Sequence, residues 1–264
     1  MLWISVFCTI YFVGTQFPIK TILLNISGLF GVFEIDKYIA TGSWSIGNEL
    51  VFYLVFPVFI LGSKRFNWFL EFFFILTLII AGLFAFNFLE STSSLSEQWK
   101  IYINPLNQLF LFVGGALLGK YFKLLRNNYF SAIALIISIL SLFFLIGEGD
   151  LINIVSGVNR FLFSSIGFLV TFSFLVGKIK FNNTVKVILS NLGHISYSLY
   201  LIHPIVFWVL AKSLNRVENP YQFIFIGYGI TILLSLVVYY FIETRFMKIG
   251  KRVAVKMGNS SQSL

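Results

Sequence analysis

Three ionisable residues stand inside strongly apolar runs of this 264-residue chain: Glu49, Arg160 and His203. Charge at membrane depth is costly, so a group retained there points to ligand binding, proton transfer or a specific ion pair. Glu49 belongs to SWSIGNELVFYLVFP (43–57) and follows Trp44 by about 7 Å at helical rise. Ser45, Glu49 and Tyr53 are spaced i, i+4, i+8, which predicts one polar face turned into a bundle. On that face a carboxylate can act as a base, or it can bind a cation or hydroxyls and hold helices together. Arg160, flanked by Asn159 and Phe161, cannot shed its charge. Its spacing predicts a place about one third of the way into its helix. It could clamp a phosphate, donate to an oxyanion, or serve as counter-ion to Glu49. His203 lies in SYSLYLIHP (196–204), where Ser196, Tyr200 and His203 share a face. An imidazole there can shuttle a proton or make a structural hydrogen bond. Pro204 lacks an amide hydrogen, so the Tyr200 carbonyl is released from its helical bond and a kink is expected.

The elements that must position these groups follow from composition. Hydrophobic residues make up 58% of the chain and charged residues 11%, against roughly 25% charged in soluble domains. A soluble globular fold is excluded. Backbone groups in hydrocarbon must bond internally, so the long apolar runs are helices. The chain is predicted to be all-α, a polytopic membrane helical bundle with about eight crossings. They lie near residues 1–16, 44–62, 67–87, 105–121, 129–147, 151–177, 187–211 and 222–242. Residues 21–33 are too short to cross and read as interfacial or re-entrant. Residues 1–257 form a single domain on this reading, and 258–264 a polar, disordered tail.

Loop charge alternates in step with these runs. Lys64 and Arg65, then Lys120, Lys123 and Arg126, then Lys178, Lys180 and Lys186, then Arg245, Lys248, Lys251, Arg252 and Lys256 fall on one side. By the positive-inside rule that side is cytoplasmic, and both termini with it. The net charge of +9 is explained by these loops, which argues against nucleic acid as a partner. Cys8 is the sole cysteine and supports neither an intramolecular disulfide nor a cysteine metal site. No HExxH, GxSxG or glycine-rich phosphate loop occurs, and no metal is expected. His194 ranks below His203 as a candidate. Gly114, Gly115, Ala116 and Gly119 form a small-residue stripe suited to close helix contact. Glu71 is expected to snorkel or to meet Lys64 or Arg65. Glu243 is poorly placed to meet Arg245 along one helix and is expected to pair with a neighbouring helix.

Three segments resemble one family. SWSIGNELVFYLVFP is similar to the WSLSxExxFYxxxP signature of the acyltransferase-3 proteins, the O-antigen and exopolysaccharide acetylase group. SYSLYLIHP resembles the second signature of that family. Phe241 to Phe246 (FIETRF) resembles its closing IExP segment, with Thr244 and Arg245 where a proline is expected. The resemblance implies a multi-pass protein of the bacterial inner membrane. It would pass an acyl group, usually acetyl, from cytoplasmic acyl-CoA to a hydroxyl of a lipid-linked or cell-surface carbohydrate. No permanently bound cofactor is implied; acetyl-CoA is the donor substrate, and the bilayer and a glycan are the partners. Glu49, Arg160 and His203 would then be catalytic, at similar depth on the acceptor side. Trp44, Ser45, Tyr53, Ser196 and Tyr200 would bind substrate, and Lys120, Lys123 and Arg126 would attract the CoA phosphates. The family has ten helices, with an arginine and the favoured base, a histidine, on the first of them. The resemblance therefore implies an amino-terminally truncated form without that histidine, whose activity alone is a separate question. The same polar residues would also suit a transporter or flippase component for a glycolipid or acyl donor.

Overall fold

The computed structural model describes residues 2–122, 128–145, 149–177, 181–213 and 220–260. The helices in chain order are α1 (Leu2–Val13), α2 (Ile19–Ser27), α3 (Phe30–Phe33), α4 (Trp44–Arg65), α5 (Phe69–Leu83), α6 (Trp99–Tyr102), α7 (Pro105–Tyr121), α8 (Asn128–Leu145), α9 (Ile152–Val155), α10 (Gly157–Val176), α11 (Asn183–Ser213), α12 (Pro220–Val238) and α13 (Thr244–Ser260). One π-helical turn, Phe84–Phe88, extends α5, and another, Tyr239–Glu243, joins α12 to α13. Among the described residues there is no strand.

Among the described residues, six helical stretches are long and apolar enough to cross a membrane, and Leu2–Val13 and Tyr129–Phe143 are shorter apolar helices. Each of the eight predicted runs is helical over most of its described residues, with one amendment. The run 151–177 is broken, because Ser156 is extended (φ −120°, ψ 166°) and Gly157 takes a positive φ of 54°. The long helix therefore begins at Gly157, and Arg160 stands in its first turn instead of a third of the way along. Residues 21–33 hold two short helices parted by Gly28, which caps α2 in the left-handed region (φ 74°).

The packing differs from the soluble pattern in what it leaves outside and in the hydroxyls it encloses. Leu54, Leu61 and Phe225 are 64%, 67% and 77% exposed, whereas Ser138, Ser173, Thr231 and Ser235 are wholly buried. Lipid is as apolar as leucine, so small hydroxyl-bearing residues that let backbones approach are enclosed beside apolar residues such as Phe59 and Val113. Several buried hydroxyls bond to carbonyls: Ser138 to Ala134 at 2.7 Å, Thr231 to Gly227 at 2.7 Å, and Ser131 of α8 to Ser173 of α10 at 2.7 Å, whereas the Ser235 hydroxyl has no partner among the described residues.

The chain divides into two compact units. The first contains residues 1–30, 37–43 and 181–264. Its α1 packs on α2 and α11, with Val6, Ile39 and Ala40 in a common core. Asn25, fully buried, donates to the carbonyls of Thr21 and Lys37 and accepts from the amide of Ile39, which fixes the 37–39 segment on α2. The second contains residues 31–36 and 44–180. There Phe59, Leu70 and Val113 form the core between α4, α5 and α7. A β-carbon on Gly31 would overlap the backbone of Gly47, so these two segments touch as only glycines allow. The 89–98 loop is tied by Gln98, whose amide bonds both the Glu90 amide and carbonyl, and by Asp150, which accepts from the amides of Leu95 and Ile152.

Candidate functional site

Within the second unit the start of α4 is fixed by aromatic packing and one amide. Trp44 sits edge-on to Trp99 at 5.9 Å and against Tyr102 at 5.7 Å. Asn48, buried beside Glu49, donates to the carbonyl of Ile103 at 3.0 Å. Anchoring α4 through Asn48 turns the next face outward. Glu49 is exposed and Tyr53 is 55% exposed, so the predicted inward-facing stripe is instead accessible. The hydroxyl of Tyr53 donates to Glu49 Oε2 at 3.3 Å. Ser45, on the same stripe, is half-buried.

Tyr53 opens onto a cavity of about 870 Å³ between α4, α5 and α7. Its walls are almost entirely apolar, and its far end carries Ser63, Lys64 and Lys120. From Tyr53 to Lys64 is about 16 Å of helix at about 1.5 Å per residue. Gly115 and Gly119 form part of the wall, and a β-carbon on either would meet nothing within 4 Å. The small-residue stripe is therefore divided in function. Of its three glycines Gly114 supports close packing, against Phe168 and Phe74, while Gly115 and Gly119 leave space. Lys120 is bound to Glu71 at 2.6 Å, and also to the Asn67 carbonyl. Tyr121 donates to the same carboxylate. Glu71 thus meets Lys120, the helix α7 cation facing it, and not Lys64 or Arg65. Lys123 and Arg126 lie outside the described residues.

Arg160, only 5% exposed, lines a second cavity of about 450 Å³ that shares Leu111 and Gly115 with the first. Its guanidinium donates to the carbonyls of Asn107 (2.7 Å) and Val155 (3.2 Å) and to Gln108 Oε1 (3.4 Å), and it lies over the Phe110 ring. A cation in the first turn opposes the helix dipole, and these carbonyls offset that cost. Among the described residues no carboxylate pairs with it, so Arg160 is not the counter-ion of Glu49. Its buried Nε keeps no partner, and neither does Asn107 Oδ1. Asn107 and Gln108 both donate to the Tyr102 carbonyl at 2.9 Å, which links this cluster to Trp44 through Tyr102. Tyr102, Gln108, Ser164 and Thr171 give the cavity polar lining.

The first unit holds the remaining candidates on α11. His203 is half-buried, and its Nδ1 is 3.2 Å from the Leu199 carbonyl. A carbonyl only accepts, so that bond places the proton on Nδ1 and leaves Nε2 as the basic nitrogen. The Tyr200 ring lies 6.0 Å from the imidazole, and its hydroxyl donates to the Gly42 carbonyl at 2.8 Å. Gly42 requires its positive φ of 83° for the turn that precedes α4. Near Pro204 the added bond comes from Ser5, which donates to the Leu201 carbonyl at 3.3 Å, one residue past the carbonyl expected to be freed. Ser196 is exposed and turns back to the Gly193 carbonyl. Ser198 is fully buried and donates to Glu243 Oε1 at 2.8 Å. Glu243 therefore pairs with a neighbouring helix, as its spacing predicted. His194 stacks on Tyr239 of the π-helical turn.

The structure thus gathers Trp44, Ser45, Glu49, Tyr53, Lys120 and Arg160 in the second unit, and Ser196, Tyr200 and His203 in the first. Four polar residues were not singled out from the sequence: Asn48, Asn107, Gln108 and Ser198; Lys64 was read only as a loop cation and a candidate partner of Glu71. All four are neutral, so no electrostatic cost flagged them. Their signal was an amide or hydroxyl within an otherwise apolar helix.

Comparison with known proteins gives one match: a family profile described as an acyltransferase domain covers residues 1–240. No curated protein and no solved structure matches the chain.

Proposed function

Because the chain belongs to the acyltransferase-3 family, we propose that it transfers an acyl group, acetyl in the simplest case, from cytoplasmic acyl-CoA to a hydroxyl of a lipid-linked or cell-surface carbohydrate. The observation that carries this reading is the elongated apolar cavity of α4, α5 and α7. It joins an end carrying Lys64 and the Lys120–Glu71 ion pair to the Tyr53–Glu49 pair. An acyl thioester on a long arm suits such a space: phosphates at the lysines, the arm along Gly119 and Gly115, the reactive carbonyl near Tyr53. The loop charges that place Lys64 and Lys120 on the cytoplasmic side support the same direction of entry.

In the reaction the carbohydrate oxygen attacks the thioester carbonyl carbon, a C–O bond forms and the C–S bond breaks. The hydroxyl proton passes to a base and the thiolate leaves, to be protonated from solvent. Glu49, accessible and held by Tyr53, is the proposed base in the second unit. His203 Nε2 is the proposed proton carrier in the first. The cavity at Arg160 is the proposed carbohydrate subsite, where Tyr102, Gln108, Ser164 and Thr171 offer hydroxyl and amide partners. Arg160 orders that wall and supplies positive potential toward the negative charge that develops on the carbonyl oxygen.

The test is acyl transfer from labelled acetyl-CoA to a membrane glycan in inverted vesicles. Glu49→Gln should lower turnover by about 10²–10⁴-fold with donor binding retained. Unchanged turnover would remove Glu49 from the mechanism.

A further inference from the structure

Helix α13 lies beyond the family match, which ends at residue 240, and neither cavity involves it. Its sequence, TRFMKIGKRVAVKMGNS, carries five cations and no carboxylate. At 100° per residue Phe246, Ile249 and Val253 form one stripe, and Arg245, Lys248, Lys251 and Arg252 the other side. Every one of these side chains is exposed. Phe246, Ile249 and Val253 are 63%, 53% and 51% exposed, so the apolar stripe has no protein cover. Among the described residues no carboxylate pairs with the four cations. The continuous helical stretch Pro220–Val253 has 34 residues, about 51 Å, against a hydrocarbon core of about 30 Å. Counting about 20 residues from Pro220 reaches the π-helical turn Tyr239–Glu243, so the amphipathic part starts where the span should leave the core. A π-helical turn is also a place where helices bend.

We infer that α13 is a binding element for anionic phospholipid headgroups, lying along the membrane surface from which α12 emerges. Phe246, Ile249 and Val253 enter the boundary of the acyl chains, and Arg245, Lys248, Lys251 and Arg252 meet the headgroup phosphates. Charge complementarity selects the occupant: an uncovered apolar stripe backed by cations alone matches a surface that is apolar below and anionic above. A protein groove would need to supply both features in the same geometry.

The test uses the whole chain in nanodiscs, with Cys8, its single cysteine, changed to serine and Val253→Cys carrying an environment-sensitive dye. Spin-labelled lipids report whether the dye reaches the acyl region. In discs of phosphatidylcholine with about one third phosphatidylglycerol, strong quenching is expected, and in phosphatidylcholine alone quenching should fall. Arg245→Gln, Lys248→Gln, Lys251→Gln and Arg252→Gln should each weaken the lipid-dependent signal, by about fivefold in partition per cation. The paired Arg245→Lys, Arg252→Lys variant should keep it, separating charge from folding. Raising salt to about 1 M should act like the glutamine variants. Equal quenching in the two lipid mixtures would overturn the inference, as would a dye that stays in water in both.

Discussion

Adjacent glycines on α7 offer a separation of folding from function. Gly114 faces Phe168 and Phe74, and an added β-carbon would meet the Phe168 ring at 2.5 Å. Gly115, one residue on, faces open space and lines both cavities, and Gly119 lines only the larger one. Gly114→Leu should therefore destabilise by about 1–3 kcal/mol through overpacking. Gly115→Leu removes a mid-helix glycine without a clash and should stabilise by roughly 0.8 kcal/mol, a rise of about 2 °C in Tm for a chain of this size. Its side chain nevertheless occupies the proposed donor route. Thermal unfolding in micelles, binding of labelled acetyl-CoA and acyl transfer should be measured on the same preparations. The expected result is a folded Gly115→Leu protein with donor binding weakened at least tenfold, and Gly119→Leu behaving likewise. If both variants bind donor and turn over normally, the cavity of α4, α5 and α7 is not the donor route. If Gly114→Leu proves as stable as the parent, the packing argument itself fails.

Three further outcomes follow from the geometry. Ser198→Ala should cost about 1–2 kcal/mol, because the Glu243 carboxylate loses a buried donor, while Glu243→Gln, which keeps an acceptor oxygen, should cost less; both are read by thermal unfolding. Gly31→Ala should destabilise by about 1–3 kcal/mol through its overlap with the Gly47 backbone, whereas Gly82→Ala, with open space around it, should not. The amide of Ile152, then that of Leu95, holds the Asp150 carboxyl below its ordinary value, so the ionised form is the one that ties the 89–98 loop. The carboxylate's contribution is complete above the unfolded pKa, about 3.9, and is lost as pH falls through the lower folded value. Hydrogen exchange should show Leu95 protected at neutral pH, still protected near pH 4, and released only in stronger acid. Asp150→Ala should lose that protection at every pH.

Much of this was legible from residue type alone. Helical class and the eight apolar runs follow from the rule that backbone groups in hydrocarbon must bond internally, which leaves few alternatives. The partner of Glu243 was legible in part, since i, i+2 spacing excludes Arg245. The direction in which Glu49 faces was not. Periodicity identified the Ser45–Glu49–Tyr53 face but assigned it inward, because cost rules attend to charge, and the anchoring group proved to be neutral Asn48. The break at Ser156 and Gly157 was hidden inside a continuously apolar run, since hydropathy does not register backbone angles. Arg160 was singled out correctly as a costly charge. Its partners, backbone carbonyls of Asn107 and Val155, carry no side-chain signature that a sequence could display.

The bond from Ser5 to the Leu201 carbonyl has a consequence in time. Its two ends are 196 residues apart, and ribosomes add about 5–20 residues per second. For roughly 10–40 seconds α1 exists before α11 has been made. Throughout that interval its buried side, Ser5 and Val6, has only α2 and the segment held by Asn25 as local company. The α1 side of the first unit is thus completed only once α11 has been made. Pulse-labelled chains arrested before residue 181 should hold α1 in a protease- or cross-linker-accessible state that disappears once α11 is complete.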